Sequence, residues 1–189
     1  MTDTTDNRQK PVLIGTGRTG RLASLLAATV TTGLIAGVFG DWAVTIMPGL
    51  HATDDRTFVR ASQALGQAIY NAPFMLAFMG ALVFTGVAAV LHLRGDHRSQ
   101  LPWVVAAFGL YLAAFVITMT VNVPLNDGLV AAGAPDSIAD LTAARHAFDE
   151  ARWVAWHAVR TITTTAAFCC LTWALVRHGR ATGRRPAGR

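Results

Sequence analysis

From Leu101 to Leu125 the chain carries no charged residue at all, and few folds can use a run of that kind. About 20 apolar residues are what an α-helix needs to cross ~30 Å of hydrocarbon. The feature recurs. Leu22–Met47 is free of charge as far as Gly40 and then contains Asp41, and Ala72–Leu93 holds nothing titratable but His92. Trp153–Val176 is apolar apart from His157 and Arg160. No soluble core in a chain of 189 residues requires four such runs. Composition agrees, with 52% hydrophobic residues, 14% charged and a mean hydropathy of +0.39, against about a quarter charged in soluble domains. The expected fold is an all-α, integral membrane four-helix bundle with spans at about 22–47, 72–93, 101–125 and 153–176.

Basic residues orient the bundle. Arg8, Lys10, Arg18 and Arg21 precede the first span, Arg94 and Arg98 lie between the second and third, and Arg177, Arg180, Arg184, Arg185 and Arg189 follow the fourth. Short segments rich in Lys and Arg stay inside, so both termini are expected in the cytoplasm of a multi-pass cell-membrane protein. Residues 1–21 read as a disordered cytoplasmic tail retained ahead of the domain at 22–177, and 178–189 as a basic cytoplasmic tail. The pI of about 10.2 then reflects topology, and anionic membrane lipid is the expected partner of the tails. No nucleic-acid motif accompanies the charge, and nucleic acid is not an expected partner.

The two remaining connections are long for a helical bundle and face outward on this reading. In the first, Phe58, Ala61, Leu65, Ala68 and Ile69 recur at helical steps behind Asp54 or Asp55. In the second, Ile138, Leu141, Ala144, Phe148 and Ala151 do so behind Asp136 or Ser137, and that helix is expected to run directly into the fourth span. The outer loops are therefore partly helical. Gly33 and Gly37 form a small-xxx-small pattern that suits close helix contact. The adjacent Cys169 and Cys170 point about 100° apart on a helix, cannot readily bridge each other, and read as small buried apolar residues.

Polar residues gather at one depth. Asp41 lies ~9 Å in from Met47 and Arg160 ~10 Å in from Trp153, at 1.5 Å per residue. Asn122 stands about a turn below Leu125, Asn126 at the exit of the third span, and Asn71 at the start of the second. Trp153, Trp156, His157 and Arg160 share one helical face. An intramembrane Asp and Arg at equal depth are natural partners, so an Asp41–Arg160 pair is expected, either structural or catalytic. The added asparagines and tryptophans suggest a ligand pocket with aromatic walls. His51, His146 and His157 also fall on the outer side, where three histidines from separate segments can converge on one metal. His92, His97 and His178 read as interfacial, and Trp42, Trp103, Trp153 and Trp173 as belt anchors. G-x-S-x-G, Walker A, G-x-G-x-x-G, C-x-x-C and H-E-x-x-H are all absent.

Three stretches, IMPGLHATDDRTFVRASQALGQAIYNAPF, TVNVPLND and ARHAFDEARWVAWHAVRT, together resemble the anthrone-oxygenase-like family of small membrane proteins over roughly Gly33 to Leu175. That resemblance implies four membrane helices and oxidation of the activated methylene of a polycyclic anthrone to a quinone, in aromatic polyketide biosynthesis. The family pattern falls on Gln63, Asn71, Pro73, Asn122, Pro124, Asn126, Trp153, Trp156 and Arg160. This chain has His157 where members often carry asparagine, which adds a base or a metal ligand. The resemblance implies substrate contacts from Gln63, Asn71, Asn122, Asn126, Trp153 and Trp156, with the asparagines and Arg160 stabilising an anion and His157 or Asp41 as general base.

Three functions stay open from the sequence. One is a membrane oxygenase or oxidase acting on a lipophilic aromatic, anthrone- or hydroquinone-like, in an outer-leaflet pocket. Another is a non-catalytic small-molecule or lipid-binding protein, or a transport-associated one. The third is a metal- or haem-binding redox protein. Oxygen use without a cofactor and a single metal held by His51, His146 and His157 are both compatible with these residues, as is a homo-oligomer.

Overall fold

A computed structural model describes residues 16–93 and 99–183. It is all-helical among the described residues, and four of its helices are long and apolar enough to cross a membrane. The first is α1 (Thr16–Asp41), continued by a π-helical segment, Trp42–Ile46, and a short α2 (Met47–His51). After α3 (Asp55–Ala68), α4 (Ala72–Leu93) forms the second. The third runs from α5 (Leu101–Ile117) through a second π segment, Thr118–Asn122, into α6 (Val123–Ala131). A short α7 (Leu141–Phe148) leads to the fourth, α8 (Glu150–Gly183). The expected tails are partly helix, since α1 takes in Thr16–Arg21 and α8 reaches Gly183; residues 1–15 and 184–189 lie outside the described residues, as does His97.

Helix α1 packs between α4 and α8, and α5 closes the other side of the square against the same two helices. Lipid is as apolar as leucine, so close packing rather than burial of large side chains decides which face turns inward. The buried positions are accordingly small: Ala28, Ala77, Ala81, Ala88, Ala107 and Ala167 line the contacts, with Leu25, Ile35, Phe39, Phe78, Tyr111 and Leu171 filling between them. Branched residues such as Val30, Leu34, Leu76, Val83 and Ile162 face outward. Half of the small-xxx-small pattern takes part. A Cβ on Gly33 would sit 2.8 Å from the Phe168 ring of α8, whereas one on Gly37 would meet nothing within 4 Å. Cys169 is exposed and Cys170 half-buried, so only the second fits the buried reading.

The helices between the spans form a cover over one end of the bundle, with its own small core of Leu50, Phe58, Val59, Leu129 and Phe148. Helix α3 begins where the pattern places it: the Asp54 side chain accepts the Thr57 N–H as an N-cap. Helix α7 starts later than expected. Its cap is Asp140, which accepts the Ala143 N–H, because Asp136 is drawn out of the helix by Arg56 and Arg60, each at 2.6 Å. It also stops short of α8, as Asp149 takes a left-handed conformation (φ 51°) at the junction.

Arg145 fastens this cover. It donates to the Asp55 and Glu150 carboxylates and to the carbonyls of His51 and Thr53, and its guanidinium lies 4.2 Å above the Phe58 ring. The Thr142 hydroxyl and Arg145 hold the Asp55 carboxyl below the ordinary 3.8, and the Thr57 hydroxyl and amide do the same for Asp54. Groups shifted in this direction contribute stability above their unfolded value and lose it only as pH falls through the lowered one. The clamp is therefore intact at neutral pH.

Candidate functional site

A cavity of about 140 Å³ opens beneath the cover. Its walls come from α1 and its π segment (Phe39, Trp42), α4 (Phe74, Phe78), the second π segment (Thr118, Asn122) and α8 (Trp153, Arg160). Gly66 near the end of α3 and Ile69 and Tyr70 just after it overhang the cavity, and the exposed Tyr70, Met79 and Met119 line its mouth.

Both π segments stand at this level, and their cause is written in the chain. A proline inside a helix removes a donor and clashes with the carbonyl four residues back. For Pro48 that carbonyl belongs to Val44, and for Pro124 to Thr120, each inside a π segment. A π turn widens the helix locally and is frequent at functional sites. Pro102, in the first turn of α5, has no such effect, because the donor it lacks would be unsatisfied at a helix start in any case.

Arg160 is the centre of the cavity's chemistry. It is 7% exposed, and its guanidinium is clasped rather than neutralised. Nε donates to His157 Nδ1 at 2.9 Å and Nη1 to the Thr118 hydroxyl at 3.2 Å. The ring of Phe39 lies 4.4 Å from its central carbon and that of Trp153 5.3 Å. Among the described residues no carboxylate pairs with it. Cation–π contacts recover about 0.5–2 kcal/mol each, well short of what burying an unpaired ion costs.

The expected Asp41–Arg160 pair is not formed. Asp41 is exposed and makes no ion pair among the described residues, because equal depth does not ensure equal facing. Phe39 and Trp42, three residues apart, turn into the cavity, which leaves Asp41 on the far side of the helix. His157 is buried but does not line the cavity. Its Nδ1 accepts from Arg160, so Nε2 carries the proton and donates to the Phe39 carbonyl at 2.9 Å, with the ring stacked on Trp153 at 4.7 Å. Both ring nitrogens are engaged. The three outer histidines do not converge either: His51 bonds Glu150 at 2.7 Å on the surface, His146 is exposed, and no group of metal-ligating side chains forms among the described residues.

The asparagines divide. Asn122 is fully buried and Asn126 half-buried, and both line the cavity. Asn126 Oδ1 accepts the Trp153 indole N–H at 2.9 Å, and Asn122 Nδ2 donates to the Trp153 carbonyl at 3.2 Å. Asn71 lies outside: it caps α4, accepting the Phe74 N–H while its amide donates to the Ala68 carbonyl. Gln63 is likewise structural, tying α3 to the carbonyls of Leu129 and Gly133. Trp156 is 41% exposed, on the bundle's outer face, whereas Trp153 is 2% exposed and no belt anchor. Trp103 and Trp173 do fit a belt, packed edge to face at 6.3 Å. His92 and His178, read as interfacial, are buried.

Sequence reasoning missed Phe39 and also Phe74, Phe78 and Thr118, the last three having no local mark of function. Phe39 and Trp42 had a signal in their three-residue spacing ahead of Pro48.

A family model described as Anthrone oxygenase matches residues 74–170, just over half of the chain. That stretch includes all but the first two residues of α4, the second π segment and the arginine of the cavity, and excludes Phe39, Trp42 and α3. A search of the curated proteins and a search of the solved structures each return no match.

Proposed function

Because the chain belongs to the anthrone oxygenase family, we propose that it is a membrane oxygenase whose cavity binds a lipophilic hydroxyaromatic or anthrone-like molecule as its anion. The observation that carries this reading is the buried Arg160 guanidinium, set among aromatic rings with no carboxylate partner among the described residues. Such a cation lowers the free energy of an oxyanion placed beside it, most strongly where water is excluded. The arginine distribution favours cytoplasmic termini, and that orientation puts the cavity in the outer leaflet. A flat apolar substrate then enters from the bilayer past Tyr70, Met79 and Met119.

Arg160 favours the ionised substrate, and His157 and Thr118 hold the guanidinium in place as positioning residues. The substrate proton leaves to water, since no carboxylate or free imidazole lines the cavity among the described residues. The resulting anion is electron-rich enough to reduce O₂. Carbon–oxygen bond formation gives a hydroperoxide, which loses water, so that one methylene and one O₂ become one carbonyl and one water.

Ionisation of a bound reporter tests this reading. A naphthol whose absorbance changes on deprotonation is expected to ionise at least about one pH unit lower in the protein than in the same detergent alone, a shift worth ~1.4 kcal/mol. Arg160→Leu is expected to remove that shift. An unshifted titration in the wild type overturns the anion reading.

A further inference from the structure

Of the described side chains that line the cavity, only Asn122 has a buried polar atom with no hydrogen-bond partner. It is fully buried, and its Oδ1 has no hydrogen-bond partner. The direction of the amide is not in doubt, because the Trp153 carbonyl can only accept and therefore faces the NH₂ group. One amide N–H is thus taken, and Oδ1 is left unpartnered on a residue that lines the cavity. An amide oxygen repels an anion, so Oδ1 does not share the anion-stabilising role that the family resemblance suggested for Asn122. A buried acceptor without a donor is costly, and a ligand that supplies one is selected over a ligand that does not.

The cation stands close by. Thr118, which accepts Arg160 Nη1 at 3.2 Å, lies one turn before Asn122 in the same π segment. We infer that Asn122 and Arg160 read two oxygens of one ligand in opposite senses: Arg160 takes an oxyanion, and Asn122 Oδ1 accepts the proton of a second, un-ionised hydroxyl. The ligand class is an aromatic monoanion that keeps one O–H donor. Fully ionised diols and fully alkylated ethers are both excluded by this pattern, the first by repulsion at Asn122 and the second for want of a donor. The inference rests on the anion reading above and adds to it the identity of the second group.

The test uses the full chain in detergent and isothermal titration calorimetry with naphthalene-1,5-, -2,6- and -2,7-diol, each against its own monomethyl ether. At least one diol spacing is expected to bind about tenfold or more tightly than its ether, beyond the twofold that two equivalent hydroxyls give by statistics. In Asn122→Leu that preference is expected to fall to twofold or less, with ether binding retained. Diols and ethers bound alike by the wild type, or a preference that survives Asn122→Leu, overturn the inference and leave the anion reading standing. If the wild type binds none of the six compounds, both fall together. The wild-type comparison does not depend on whether the variant folds.

Discussion

Arg160→Leu is expected to reduce substrate-dependent O₂ uptake at least about a hundredfold while leaving thermal stability unchanged or higher. The first half follows from the loss of the only cation among the described residues that line the cavity, since removing one preorganised donor from an oxyanion site costs ~10²–10³ in rate. The second half follows from its burial. A guanidinium that is 7% exposed without a carboxylate partner among the described residues is a burden on the fold, and replacing buried charge by an apolar side chain is often neutral or stabilising. Arg160→Lys keeps the charge but loses the planar fork that spans His157 and Thr118, so activity between the two is expected. An oxygen electrode and thermal unfolding in detergent read both quantities. A variant that loses stability along with activity marks Arg160 as structural, and one with full activity removes it from the chemistry.

Trp153→Ala is expected to cost ~3–5 kcal/mol of stability, the range for deleting a large buried aromatic. Trp153 is 2% exposed, packs against Phe148 and Trp42, stacks on His157 and donates its indole N–H to Asn126. Trp156→Ala, three residues on and 41% exposed, is expected to stay within ~0.5 kcal/mol of wild type, as exposed substitutions usually do. Chemical or thermal denaturation of the two variants under identical conditions gives the comparison. Equal losses would place both tryptophans in the same environment, against the geometry described above.

The contrast between these two tryptophans shows what the sequence made legible. Hydropathy is a local property, so the spans at Ala72–Leu93 and Leu101–Leu125 could be read directly, and counting residues from a span end placed Asp41, Arg160 and Asn122 in one layer. Azimuth is different. Which residues on a helix face inward depends on its neighbours and on its register, and a π turn shifts that register. Asp41 and Arg160 therefore matched in depth and not in direction. The signal that was available, a proline in mid-helix at Pro48 and at Pro124, marks where α-helical counting fails. Asn71 had a local explanation too: asparagine followed by Ala72 and Pro73 is a helix start, and the structure uses it as one. His157, where family members often carry asparagine, accepts from Arg160 and donates to Phe39. Both ring nitrogens are engaged, so His157 offers the cavity no free base.

Oxygen consumption tests the central claim most directly. The purified protein, reconstituted in vesicles and given an anthrone, is expected to take up one O₂ for each anthrone lost and to yield the corresponding quinone, at a rate that Arg160→Leu lowers at least about a hundredfold. Saturable anthrone binding at the cavity with no uptake above that of protein-free vesicles would contradict an oxygenase and leave a binding protein in its place.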